Sequence, residues 1–263
     1  MKLDEVVISR AIVESFYQDF KENLKARVAI AGAGPAGLTA GYYLAKEGVK
    51  TVIFEKNLRL GGGMPGGGMM FNKVVVQESA REILEEMEVR YSCYQQEYYV
   101  ADSLEVISAL TLKALRAGAK VFNLMGVEDV MVKDEKVSGL VINWEAVRIA
   151  GLHVDPLTVS CEVAIDATGH GCEVVKKLQQ RENIKLRTST GKIVGEGLLW
   201  AEKGEKAILE CTKEVYPGIY VSGMAANAVF GAPRMGPVFG GMLLSGRKVA
   251  GIVLNKLELK IEE

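Results

Sequence analysis

The run "ARVAIAGAGPAGLTAGYYLAKEGVKTVIFEK", residues 26–56, decides the fold. Its opening, "ARVAIAGAG", is apolar and ends in glycines, as a strand buried on both faces of a parallel sheet does. "PAGLTAGYYLAKEG" (35–48) reads as a helix with proline in its first turn and Gly48 as its stop. "KTVIFEK" (50–56) is a second strand, so the whole is a βαβ unit. At its first turn stands Gly32-Ala33-Gly34-Pro35-Ala36-Gly37, which fits G-x-G-x-x-G. That pattern is weak alone. Between a strand and a helix, with Glu55 closing the next strand, it has the context of a dinucleotide-binding turn. Gly32 permits the tight turn, Gly34 lets the backbone approach a pyrophosphate at the helix N-terminus, and Gly37 lets helix and strand pack closely. Glu55 is placed to accept hydrogen bonds from the adenosine ribose. A glycine turn that merely packs well is the competing reading, and it leaves Glu55 unexplained.

Upstream, residues 5–24 place Ile8, Ile12, Phe16, Phe20 and Leu24 four apart, with Val13 and Tyr17 alongside. This predicts an amphipathic helix docked on the body or on a neighbouring subunit. Downstream comes a glycine-dense loop, "GGGMPGGGMMF" (61–71), then two helical stretches, 77–89 and 103–118. "KVFNLM", "VEDVMVK" and "KVSGLVINW" read as strands, the last two forming a hairpin across "KDE". "TVSCEVAIDATG" (158–169) reads as one strand running into a loop, and "GIYVSGMAANAVFGAPRMGP" (218–237) as a late strand and a glycine-rich turn. "GMLLSGRKVAGIVLNKLEL" (241–259) is a closing helix. The expectation is a single α/β domain over 1–263, Rossmann-like, with a β-rich insertion. Residues 1–25 form its N-terminal helix and 26–60 its βαβ unit.

Thirty-two basic against 33 acidic side chains leave a net charge of −1, so neither nucleic acid nor an anionic membrane surface is expected as a partner. No apolar run is long enough to span a bilayer, and the acidic start "MKLDEVV" predicts no secretory leader. Cys93, Cys161, Cys172 and Cys211 form no C-x-x-C pair, consistent with free thiols in a cytoplasmic chain.

The layout resembles the two-dinucleotide-binding flavoproteins. Many of these carry an aspartate after the glycine that ends the late strand, against the flavin's ribityl and phosphate region. Here Met224 follows Gly223, which argues against bound FAD. Val127, in "GVEDVMV", stands where such folds offer backbone groups to the adenine edge, although a strand valine is equally a core residue. The chain has two histidines, His153 in "HVDP" and His170 in "DATGH". His153 and Asp155, two apart, share a side of an extended segment. Asp155 and His170 are an oxygen and an imidazole suited to a first-row metal, and two protein ligands would leave positions open for substrate. A solvated turn aspartate and a satisfied loop histidine are the plainer readings of each alone.

Together the glycine turn, "LGGGMPGGGMMF", "HVDP", "DATGH" and "GMAANAVFGAPRMGPVFGGMLLSG" closely resemble the thiazole synthases of thiamine biosynthesis, over nearly the whole chain. The resemblance implies an iron-dependent transferase that uses NAD as a substrate. It expels nicotinamide, condenses the opened ADP-ribose with glycine, adds sulfur and closes an ADP-thiazole carboxylate. Eukaryotic members carry a sulfur-donating cysteine where this chain has His153, and are consumed in one turnover. His153 matches the archaeal branch, which takes free sulfide and turns over repeatedly. By the same resemblance Asp155 and His170 hold Fe(II), contributed by adjacent protomers. Arg234 clamps the glycine carboxylate. Ala36, Glu55, Lys56, Gly63, His153, Val154, Asp155 and Met224 line the NAD or product site. His153 acts as an acid or base, or only fills the cysteine's space. The 61–68 loop closes over the ribose. A homo-octamer is implied. One departure is Gly171-Cys172 after "GH", where an acidic residue is frequent; it sets a thiol near the iron. The rival functions are an FAD-dependent oxidoreductase on the same scaffold and a non-catalytic NAD or ADP-ribose sensor.

Overall fold

The computed structural model describes residues 3–258. Asp4 caps the first helix, α1 (Glu5–Asn23), by accepting hydrogen bonds from the backbone N–H groups of Val6 and Val7. The predicted βαβ unit follows as β1 (Val28–Ala31), α2 (Pro35–Lys46) and β2 (Thr51–Glu55). Next come β3 (Lys73–Gln77), α3 (Glu78–Glu86), β4 (Tyr91–Gln95), β5 (Tyr98–Asp102), α4 (Ser103–Ala117) and β6 (Lys120–Asn123). A long hairpin, β7 (Met125–Lys133) and β8 (Lys136–Trp144), leads through α5 (Glu145–Ala150) to β9 (Leu157–Ser160) and β10 (Val163–Asp166). The chain continues as α6 (Glu173–Gln179), β11 (Gly197–Leu199), α7 (Ala201–Cys211), β12 (Glu214–Tyr216), β13 (Ile219–Val221), α8 (Met224–Phe230), β14 (Pro233–Arg234) and α9 (Gly240–Glu258). Leu259, the last residue of the predicted closing helix, lies outside the described residues, as do residues 1–2 and 260–263.

The central sheet runs β12-β13-β10-β1-β2-β6. All its pairings are parallel except β12 with β13. Alternation sorts its side chains onto two cores. Val28, Ile30, Ile53, Val163 and Ile165 join the cluster formed with the apolar residues of α2, α4 and α9. Ala29, Ala31, Val52, Phe54 and Ala164 face the other way, against residues of β8, β9, α6 and α8. The small alanines of that second face let the antiparallel β7-β8-β9 layer approach. This is the expected β-rich insertion on an α/β sheet.

Several segments differ from the sequence reading. "TVSCEVAID" is not one strand: β9 pairs antiparallel with β8, whereas β10 pairs parallel with β1. "VVVQ" forms β3, and the residues between the two predicted helices form β4 and β5, which make a three-stranded sheet with it. "MAANAVF" is the helix α8 rather than a turn. α1 has no buried residue. Its C-terminal half rests on the body through Phe16 and Phe20, whose rings meet Phe122 at 5.9 and 5.3 Å. Toward its start Val6, Val7, Ile12 and Val13 are each about two-thirds exposed (66, 61, 65 and 65 %).

Candidate active site

Parallel sheets present their ligands at the carboxyl ends of the strands. Here β1 ends in the glycine turn, β2 in Glu55, β10 in "DATGH" and β13 in Gly223-Met224. These ends border one cavity of about 680 Å³. Its wall includes Gly32, Gly34, Ala36, Glu55, Lys56, Gly63, Val127, His170, Met224 and Arg234, ten of the residues singled out in the sequence.

The glycine turn behaves as its chemistry requires. Gly32 has φ +96°, and a Cβ there would lie 2.6 Å from the Ala167 carbonyl oxygen. A Cβ on Gly37 would lie 2.0 Å from the Gly32 carbonyl oxygen, so Gly37 packs beneath the turn and does not line the cavity. A Cβ on Gly34 would meet nothing within 4 Å. That open space lies at the N-terminus of α2, where a pyrophosphate would gain the unpaired N–H groups.

Glu55 is buried. Its Oε2 accepts the Ala33 N–H at 2.9 Å, and its Oε1 accepts the Asn57 N–H and side-chain amide at 2.9 and 2.7 Å. An ionised carboxylate has about four acceptor sites, so these three donors fix its orientation and leave about one acceptor site open. Lys56 reaches across to Glu173, Nζ to Oε1 2.6 Å, joining the end of β2 to the start of α6.

The "DATGH" turn is held from below. The fully buried Asp166 carboxylate accepts the Thr168 N–H (3.0 Å) and hydroxyl (2.6 Å) through Oδ1, and the Val174 and Val175 N–H groups (3.0 Å each) through Oδ2. It thus caps α6 and shapes the turn that carries His170. Burial raises its pKa, and the four hydrogen bonds oppose that rise. Cys172, two residues on, is 1 % exposed, and burial pushes its thiol up to about 12. The thiol expected near an iron therefore packs into the core, at a residue with left-handed backbone (φ 36°).

His170 and Arg234 share a partner that the sequence reading did not name. Glu196 Oε1 lies 2.5 Å from His170 Nδ1, and its Oε2 lies 3.6 Å from Arg234 Nε. Asp166 opens the "DATGH" motif and Glu173 follows it closely, but nothing in the local sequence marks their contacts; Glu196 lies 26 residues from His170, and only the parallel pairing of β11 with β14 brings its segment beside Arg234.

His153, Val154 and Asp155 are not at this cavity. They sit on the exposed 151–156 loop, where the Val154 carbonyl accepts a hydrogen bond from the Asn143 amide at 3.2 Å. Among the described residues no group of three or more His, Cys, Asp or Glu side chains is placed to hold a metal ion. Likewise, no described helix is long and apolar enough to cross a membrane.

A family model described as the Thi4 family matches residues 9–239. The chain belongs to the Thi4 family. This Thi4-family protein is 57 % identical over 258 residues to the thiamine thiazole synthase of Methanothermobacter thermautotrophicus, covering 98 % of this chain and 100 % of the relative. Among solved structures it is similar to Thermovibrio ammonificans THI4, with a TM-score of 0.96 at 52 % identity over 98 % of this chain and 100 % of that one. A geranylgeranyl bacteriochlorophyll reductase-like protein from Thermoplasma acidophilum shares the fold alone, with a TM-score of 0.52 at 15 % identity over 90 % of this chain and 79 % of that one.

Proposed function

We propose that this Thi4-family protein is a thiamine thiazole synthase that makes ADP-thiazole carboxylate from NAD, glycine and free sulfide with Fe(II), over many turnovers. The observation that carries the reading is the single cavity bordered by the phosphate turn, Glu55, His170 and Arg234. The pyrophosphate rests on Gly34 and the start of α2, the adenosine ribose on Glu55, and the adenine edge near Val127. Lys56, Gly63 and Met224 line the rest of the NAD path. The Arg234 guanidinium makes no hydrogen bond to another described residue, and its charged neighbour Glu196 stands at Nε, 3.6 Å away. The terminal guanidinium nitrogens are therefore free to take the glycine carboxylate in a paired fashion. The glycine-rich 61–68 loop borders the cavity through Gly62, Gly63 and Gly68 and excludes water from hydrolysable imines.

The donor chemistry fits a first-row metal, since it pairs an imidazole with a carboxylate. A single chain brings only His170 to the cavity. The pair is complete where a second copy in a homo-octamer supplies Asp155 on its 151–156 loop. Two exposed apolar strips flank the cavity, Met69–Phe71 and Leu198–Trp200, and Ile149, Leu152 and Val154 are exposed around the loop. Such a contact would bury these surfaces. Fe(II), when bound, supplies Lewis-acid polarisation of the substrate. His153 arrives on the same loop and cannot donate sulfur. Cys172 is buried, and neither it nor the other cysteines occupies the donor position, so free sulfide is the source. The FAD reading is disfavoured by Met224, which occupies the flavin-contacting position as an apolar, buried side chain.

Intersubunit complementation tests this reading. Asp155→Ala and His170→Ala proteins should each make no ADP-thiazole by mass spectrometry. Unfolded together and refolded as mixed oligomers, they should regain part of the activity, because some sites then hold both native ligands. No recovery, with both variants folded and NAD-binding, would refute a site shared between copies. Product made without added metal or sulfide would refute the chemistry.

A further inference from the structure

We propose that Glu196 is a positioning residue that fixes the ring of His170 through Nδ1 and holds Arg234 by its Nε edge. This inference rests on the functional reading above.

Glu196 does not line the cavity, although both of its partners do. Its side chain is 17 % exposed, against 57 % for His170 and 58 % for Arg234. It lies behind them with each carboxylate oxygen assigned to a different neighbour. Its backbone is anchored on both sides. The Gly195 N–H donates to the Ala228 carbonyl at 2.9 Å and the Gly197 N–H to the Ala232 carbonyl at 3.0 Å. Gly195 takes φ +95°, so the chain turns sharply into Glu196. β11 then runs parallel to β14, with Leu199 opposite Arg234. The carboxylate is therefore carried on the same rigid edge as the arginine it faces.

The consequence for His170 is chemical. A neutral imidazole carries one proton, and the nitrogen that donates to a carboxylate keeps it. With Glu196 as acceptor the proton stays on Nδ1, leaving the Nε2 lone pair available as a ligand. A carboxylate in this position also increases the donor strength of the imidazole and restricts ring rotation. The second oxygen, near Arg234 Nε, orients the guanidinium so that its terminal nitrogens remain available to a substrate carboxylate. One side chain thus aligns the groups proposed for metal and for glycine.

The chain has only two histidines, so the test is direct. Solid-state nitrogen-15 spectra of histidine-labelled wild type at about pH 8.5, where a free imidazole is neutral, should show His170 protonated at Nδ1 and bare at Nε2. His153→Gln identifies the other set of signals. In Glu196→Ala the His170 proton should redistribute toward Nε2. Co(II), followed by its visible absorbance, should bind Glu196→Ala about 10- to 100-fold more weakly than wild type. Glu196→Gln, which can still accept from Nδ1–H, should recover part of that loss. NAD affinity should stay within about twofold in both variants, because Glu196 itself is not among the residues that line the cavity. An Nε2-protonated His170 in the wild type would overturn the proposal, as would unchanged Co(II) affinity in Glu196→Ala. Failure of wild type to take up Co(II) would refute the metal assignment instead, and the tautomer measurement, made on metal-free protein, would still decide the role of Glu196.

Discussion

Glu205 on α7 carries a charge where the fold tolerates it poorly, and Glu205→Gln should relieve that. The Glu205 carboxylate accepts the Gln77 amide at 2.6 Å and the Gly241 N–H in the first turn of α9. Its other oxygen, Oε1, and the Gln77 Oε1 are buried without partners. Burial pushes the Glu205 pKa up to about 6 from 4.5, against the pull of the two hydrogen bonds. A carboxyl whose folded pKa lies above its unfolded value binds its proton more tightly when folded. Its contribution is therefore full below pH 4.5 and lost as the pH rises through 6. The rise from 4.5 to about 6 corresponds to about 2 kcal/mol, the penalty carried by the ionised form at pH 8. Glutamine has nearly the same shape, bears no charge, and can donate to the orphaned Gln77 oxygen. Glu205→Gln should raise the melting temperature at pH 8 by about 4–8 °C. The advantage should shrink steadily toward pH 4.5. Paired scanning calorimetry of both proteins across that range measures the difference directly. Parallel pH profiles, or a variant less stable than wild type at pH 8, would show that Glu205 is not held charged at a cost.

Gly37→Ala places a methyl 2.0 Å from the Gly32 carbonyl oxygen, with backbone on both sides of the clash. It should destabilise by about 4 kcal/mol or more and abolish NAD binding; a normal melting curve would contradict the close-packed turn. Glu55→Gln replaces a carboxylate surrounded by donors with an amide that must turn its own N–H groups toward one of them. Loss of a charge-assisted hydrogen bond of about 1.5–3 kcal/mol should weaken NAD binding at least about tenfold by calorimetry, and unchanged affinity would remove Glu55 from the ribose. His153→Cys puts a thiol on the exposed loop. It should yield thiazole without sulfide, at most once per chain, each reacted chain losing the mass of hydrogen sulfide. The same loss from Cys172 in wild type would reverse the assignment of the sulfur source.

The sequence is most legible where a local rule and a long-range one coincide. The βαβ unit is such a case, because strand hydrophobicity, helix start and glycine spacing agree within residues 26–56. It is least legible where one local pattern serves two layers. Nothing in "TVSCEVAID" marks the point where the chain leaves the β7-β8-β9 sheet for the central one; the pairing of β9 with β8 and of β10 with β1 is a tertiary fact. Helix α8 was hidden by the glycines at both its ends, Gly223 and Gly231, which read as a turn. The strand β3 was masked by the glycine-dense loop before it. Within the site, residues on strand ends were found because their positions follow from topology. Glu196 was not, since its role depends on a contact 26 residues away from His170. His153 and Asp155 stand out by their spacing and take their roles from the resemblance, but their separation from the cavity within one chain is visible only in three dimensions.

The 151–156 loop is exposed along its length and follows a helix of only six residues. No side chain of the two cores depends on what stands at position 153. Substitutions there are therefore nearly free of folding cost, whereas the glycine turn and Asp166 admit almost none. A scaffold arranged in this way can change its chemistry independently of its architecture. On the function proposed above, the choice between a consumable sulfur donor and a recyclable enzyme falls on a residue that natural variation can sample without first unfolding the protein.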